Sequence, residues 1–380
     1  MKTLQRVVRS MAEIPSALDE LQAISPQWVL VFGSASLLAE PDLTASLRAS
    51  FPEAILTGCS TAGEISQQGV DDNTCVITAV HFDQVQIISA STQLADMADS
   101  RAAGVRIGEQ LQAPALRAVV VFGPGVEING SALVDGISSV IGNNVPLTGG
   151  LAGDGGAFKK TWTLGPDGVR DDAVVAIGLL GQGLQFSHGS FGGWEPFGPA
   201  RKVTRCEGNV LYELDGAPAL DVYKRYLGDY ARDLPASGLL FPFSMLGENH
   251  DASGLIRTIL AVSEKEGSLT LAGEIVPGGY LKLMHASTDS LVSGAESAAE
   301  AASDMLGSAG DGLAILVSCV GRKLVMGERV DEEVEAVGDV LGQGALLTGF
   351  YSYGEISPFA PGVECKLHNQ TMTIACLREA

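Results

Sequence analysis

Basic residues are scarce in this chain. Its 24 Lys and Arg stand against 45 Asp and Glu, a formal net charge of −21 over 380 residues. Phosphate-backbone binding needs clustered cations, so no nucleic-acid partner is expected, and the acidic excess reads as a solubility feature. Long hydrophobic runs are missing as well. The richest stretch, Val174 to Leu180, is strand-sized, far short of the ~18 apolar residues of a membrane span. The N-terminus carries no apolar core of signal-peptide length. The six cysteines are widely spaced, without a Cys-x-x-Cys pair, and read as reduced thiols. A cytoplasmic protein is the expectation. The five histidines show no His-x-x-x-His spacing, which argues against zinc. There is no Gly-Lys-Ser/Thr triple for nucleotide phosphates and no Gly-x-Ser-x-Gly elbow for a nucleophilic serine.

What the chain does have is glycine and repetition. The octapeptide Thr57-Gly58-Cys59-Ser60-Thr61-Ala62-Gly63-Glu64 returns as Thr348-Gly349-Phe350-Tyr351-Ser352-Tyr353-Gly354-Glu355. Both copies follow a Leu and continue Ile-Ser; a looser copy, Leu147 to Asp154, lies between them. Repetition outranks local propensity as a guide to architecture. Around each copy the pattern reads helix, strand, helix, strand, turn, closing strand. The unit-opening strands are Trp28 to Gly33, Arg117 to Phe122 and Leu313 to Ser318, and the strand pair Thr74 to Val80 and Val85 to Ala90 is expected to close the first unit. From the residue after the opening strand to the repeat glycine, Gly33 to Gly58 is 25 positions, Gly123 to Gly149 is 26 and Cys319 to Gly349 is 30. Chance likeness of a short peptide would not preserve such surroundings.

The pattern changes between Gly198 and His285, where a helix over Pro218 to Leu227 precedes strand-like runs at 239–245, 255–262, 268–275 and 280–285. The expected fold is therefore α/β with mixed α+β character. It comprises two domains, 1–198 and 199–380, built from repeated helix-strand-helix-strand-strand units with mixed sheets. The boundary falls near Pro196 to Pro199.

The repeat acids Glu64, Asp154 and Glu355 could gather as a cation or amine site. The plainer reading is that each caps N–H groups in its own turn, and a need shared by every copy favours it. What only the last copy has is more informative. Tyr351 and Tyr353 add stacking surface with hydroxyls, and Arg322, after the unit's first strand, adds a guanidinium for a carboxylate. With Glu355, His368 and Asn369 they form the candidate ligand set, suited to a small amphipathic molecule such as an amino acid. Haem needs only one axial ligand; His188, near Phe186, Phe191 and Trp194, is the candidate. An enzyme acting on a small polar metabolite through Cys319 or Glu355 is the rival from another class. Ala272-Gly273-Glu274-Ile275 echoes Ala62-Gly63-Glu64-Ile65 without the Thr-Gly and receives little weight.

In order along the chain, these motifs resemble the FIST family (F-box and intracellular signal transduction proteins). The resemblance rests on Val29 to Gly33, Gly58-Cys59-Ser60-Thr61-Ala62-Gly63-Glu64-Ile65 and Gly149 to Gly155. It continues with Gly193-Trp194-Glu195-Pro196, Leu214 to Leu220, Ser318-Cys319-Val320-Gly321-Arg322, Gly349 to Ile356 and His368-Asn369-Gln370-Thr371. It implies FIST N-like and FIST C-like domains and a non-enzymatic sensory role with a small-molecule ligand. It also implies a separate signalling partner such as a histidine kinase, and allows a homo-oligomer. One bacterial branch implies haem-based sensing of nitric oxide.

Overall fold

The computed structural model describes residues 1–247, 252–306, 312–358, 362 and 364–380. Each unit opens on an apolar, buried strand: Trp28–Gly33, Leu116–Gly123 and Gly312–Cys319. Each pairs in parallel with the strand that runs into the repeated turn, Ile55–Ser60, Leu147–Leu151 or Ala345–Ser352. A parallel pair needs a crossover, supplied by the helices Pro41–Ser50, Gly130–Ile141 and Asp331–Leu341. On the other flank a closing strand pairs antiparallel: Cys75–His81, Ala173–Leu180 or Met372–Glu379. Beyond it lies an edge strand: Lys2–Val8, Gln86–Gln93 or Leu184–Phe191. All three six-stranded sheets are mixed, and the protein is α/β.

The last two strands of each sheet come from a different unit. The hairpin Glu64–Ser66 and Gly69–Asp71 leaves the first repeat and joins Ala345–Ser352 of the third. Thr163–Gly165 and Gly168–Arg170 leave the second and join Ile55–Ser60. Gly354–Pro358 and Cys365–His368 leave the third and join Leu147–Leu151. The exchange is cyclic, so every sheet is completed by its neighbour. Their inner faces meet in one core where Phe32 stacks on Phe350 at 4.8 Å and touches Phe122 edge-on at 5.5 Å. Burying such side chains contributes roughly 1.5–3 kcal/mol each. Helices cover the outer faces.

Details of the strand assignment differ from the sequence reading. Gln86–Gln93 opens the second sheet instead of closing the first, because it pairs along its whole length with Ala173–Leu180. Lys2–Val8, not foreseen as a strand, is the corresponding edge of the first sheet. Residues 195–285 form a separate eight-stranded sheet. Its own core is built from Val203, Leu211, Phe243, Leu269 and Leu283 with Leu220 and Tyr223 of the helix Ala219–Leu227. Within it the expected run 255–262 is broken into Ala252–Arg257 and Ile259–Ser263. The chain enters this sheet through Glu195–Glu207, whose first residues pair with Tyr280–His285. No helix among the described residues is long and apolar enough to cross a membrane.

Candidate ligand site

The three turns converge, but they bind one another. Ser60 and Gly153 exchange backbone and hydroxyl hydrogen bonds, Ala62 N donates to Tyr351 O at 2.8 Å and Tyr351 N to Gly63 O at 2.8 Å, and Tyr353 N donates to Leu151 O. The acids serve the same clasp. Glu355 is fully buried and accepts from Ser352 Oγ (2.7 Å), Thr371 Oγ1 (3.0 Å) and Thr371 N (3.2 Å). Glu64 repeats this with the Thr61 hydroxyl and the N–H and hydroxyl of Thr74. Asp154 accepts from the N–H groups of Phe158, Lys159 and Lys160 and from the Tyr353 hydroxyl. Glu64 and Glu355 fasten their turns to the start of the closing strand and Asp154 fastens its turn to the loop that follows it; among the described residues the three do not form one cation site.

Burial raises the Glu355 carboxyl to about 7 from an ordinary 4.5, against the pull of its Ser352 and Thr371 donors. A carboxyl whose folded pKa exceeds its unfolded value binds extra protons in the folded state between those values. Stability therefore falls as pH rises from about 4.5 to about 7 and is level beyond. At ~1.4 kcal/mol per unit this amounts to at most about 3 kcal/mol. Glu355→Gln should flatten that part of the profile, read as urea midpoints from pH 4 to 8. A parallel slope in both proteins would refute the assignment.

Arg322 is fully buried. Its Nη2 donates to Glu333 Oε2 at 2.7 Å and to Leu291 O at 2.9 Å, Nε donates to the same carboxylate, and Nη1 to Gly192 O. Tyr351 and Ser318 donate to the other oxygen of Glu333. The guanidinium and the Tyr351 hydroxyl thus have a protein carboxylate where the sequence suggested a ligand's. His368 Nε2 meets Ser357 O at 2.8 Å, and burial lowers its pKa to about 4; Asn369 is buried beside it. Cys319 is buried with its thiol pushed up by desolvation, so a reactive thiolate is not poised there. Only Tyr353 reaches toward open space. Its ring stacks on Phe158 at 4.1 Å, and its hydroxyl gathers the N–H groups of Asp154, Gly156 and Phe158.

Beyond Phe158 lies a cavity of about 710 Å³. One wall comes from the second unit: Gly125 to Gly130 after the opening strand, and Gly155, Gly156 and Phe158 after the turn. The other comes from the eight-stranded sheet, with Asn209, Leu239, Ile259, Leu271 and Gly273. Of the eight exposed large hydrophobic residues among those described, Met97, Phe158, Leu260 and Leu324 ring this cavity. An apolar concavity with a few polar groups is the usual form of a small-molecule site. The sequence reading missed all of these except through Tyr353. The signals were the Gly123-Pro124-Gly125 turn and the discounted Ala272-Gly273-Glu274, both on the wall.

Among the described residues the cavity wall carries no His, Cys or Tyr as a strong axial ligand for a haem, and Met97 offers only a thioether. His188 lies apart on the strand Leu184–Phe191 with its ring 6.4 Å from Phe186, and burial lowers its pKa.

Fold and cavity together define an α/β protein of three interlocked repeats carrying an inserted sheet, with a ligand-sized hollow between the two. The family models of the FIST N domain and the FIST C domain match residues 27–217 and 219–358. The chain belongs to the FIST family, whose domains are associated with sensing in signal transduction. Neither match is to an F-box, so that part of the expanded name does not apply. An uncharacterized protein of Methanocaldococcus jannaschii, MJ1623, is 31% identical over 154 residues. That match covers 37% of this chain and 29% of the relative's length. A crystal structure of cyanuric acid hydrolase from A. caulinodans aligns over 99% of this chain and 98% of its own, at 10% identity and a TM-score of 0.40. A likeness that weak carries no argument about activity.

Proposed function

We propose that this protein is a non-enzymatic sensory module that takes a small ligand in the cavity between its second repeat and the inserted sheet. The observation that carries this is the cavity's place. It lies where two bodies with separate cores meet, so an occupant touches both and favours the arrangement it fits. Its volume falls within the roughly 300–1,000 Å³ of small-molecule sites. The output would pass to a separate partner, such as the histidine kinase that the family resemblance implies. Catalysis is the weaker reading, since among the described residues the wall offers no Ser, Thr, Cys, Lys or His, and its two carboxylates, Glu127 and Glu274, have no nucleophile beside them on it.

A thermal-shift screen of small metabolites tests this. A ligand present at a hundred times its dissociation constant should stabilise the fold by ~2.7 kcal/mol. Ala236 is exposed on the wall, so Ala236→Trp should fill the cavity, leave the unliganded transition in place and abolish the shift. Hits that persist unchanged in this variant would place the ligand elsewhere.

A further inference from the structure

We infer that the ligand of this cavity is an organic amine, a protonated nitrogen on an apolar body; this rests on the cavity being the sensory site. Two charged side chains line the cavity, Glu127 and Glu274, and both are acids. They come from opposite walls, one from the second unit and one from the inserted sheet. Asn129 fixes the second of them. Its Oδ1 caps the helix Gly130–Ile141 through Ala132 N at 3.0 Å, while its Nδ2 holds Glu274 Oε1 at 3.3 Å. The buried Arg257 interacts electrostatically with Glu274, while its hydrogen bonds go to main chain. Its guanidinium donates to the carbonyls of Glu274, Ile256 and Leu367.

Glu127 is the more telling of the two. Its backbone has φ +57°, a left-handed conformation that costs a non-glycine residue of order 1 kcal/mol. Among the described residues its carboxylate makes no hydrogen bond or ion pair that would repay this within the fold. Glu127 is exposed, so its carboxylate is free to meet an occupant of the cavity. Phe158, also left-handed at φ +53°, presents an aromatic face at the same wall, braced from behind by Tyr353. A ring and two carboxylates around an apolar floor suit a cation on a hydrophobic body. An adjoining depression shares Val126 and Glu127 with the cavity; there Asp171 is paired with Lys160 and Asp172 with Arg170, each at 2.8 Å.

Calorimetric titration with 2-phenylethylamine, 2-phenylethanol, 3-phenylpropanoate and L-phenylalanine separates head group from body. The amine should bind at least about tenfold tighter than the alcohol, the propanoate weakest of all, and the double variant Glu127→Gln/Glu274→Gln should close the gap by weakening the amine alone. If the alcohol, the acid or phenylalanine binds as tightly as the amine and Ala236→Trp abolishes that binding, the cavity reading stands and the amine inference falls. An amine preference that survives the double variant also overturns it. If none of the four binds, or Ala236→Trp leaves their binding intact, the cavity reading falls with it.

Discussion

Arg322→Ala should lower the unfolding free energy by about 3–5 kcal/mol, the cost of stranding a buried charge. Arg322 and Glu333 are both inaccessible to solvent, 2.7 Å apart. Truncating the arginine leaves Glu333 Oε2 without its donors and removes those that Arg322 gives to the carbonyls of Gly192 and Leu291. Removing the charge on both sides should be milder. Arg322→Met with Glu333→Gln keeps the volume and leaves an amide for Tyr351 and Ser318, so a good part of the loss should return. Urea midpoints for the single and double variants decide between scaffold and ligand site. If Arg322 met a ligand's carboxylate, the alanine variant would lose ligand affinity and little stability, and the opposite is expected.

The same residue shows what the sequence could and could not carry. The repeat was legible because turn glycines, apolar strands and their spacing are local facts. The opening strand Trp28–Gly33 and the strand Tyr280–His285 have the bounds read from the sequence. The demotion of the shared acids was legible too, since a residue present in every copy answers a need of every copy. Arg322 and Tyr351 stand out in the sequence because only the last copy has them, and uniqueness suggests a ligand. Uniqueness has a second cause. Their partner, Glu333, belongs to the third crossover helix, and only that unit needs its guanidinium to reach Gly192 and Leu291. The cavity was illegible for a stronger reason. Its walls come from residues near 97, 125–130, 155–158, 208–274 and 324, far apart in the chain and adjacent only in the folded protein. An exchanged hairpin leaves no local trace, because strand patterning records which residues are buried and not which sheet buries them.

Gly58→Ala, Gly149→Ala and Gly349→Ala should each be severely destabilising, by at least about 4–5 kcal/mol, and by similar amounts. These are the repeat glycines, and each lies in parallel register beside the middle of its unit's opening strand: Val31 with Gly58, Val121 with Gly149, Leu316 with Gly349. A Cβ at these positions would sit 1.8, 1.9 and 1.8 Å from the carbonyl oxygen of that partner residue. The obstacle is backbone, which cannot rotate aside as a side chain would, so the two parallel strands must part where they anchor the turn. Since the turns clasp one another across the units, opening one loosens all three. Gly338→Ala supplies the contrast. It lies inside the helix Asp331–Leu341, with Leu347 Cδ1 3.5 Å from the added methyl, an ordinary contact. There the alanine should stabilise by up to about 1 kcal/mol through helix propensity and a less free unfolded chain. Denaturant midpoints across the four variants would test whether the three copies are one device. Equal losses at 58, 149 and 349 are expected, and one tolerated substitution among them would break the equivalence on which the threefold reading stands.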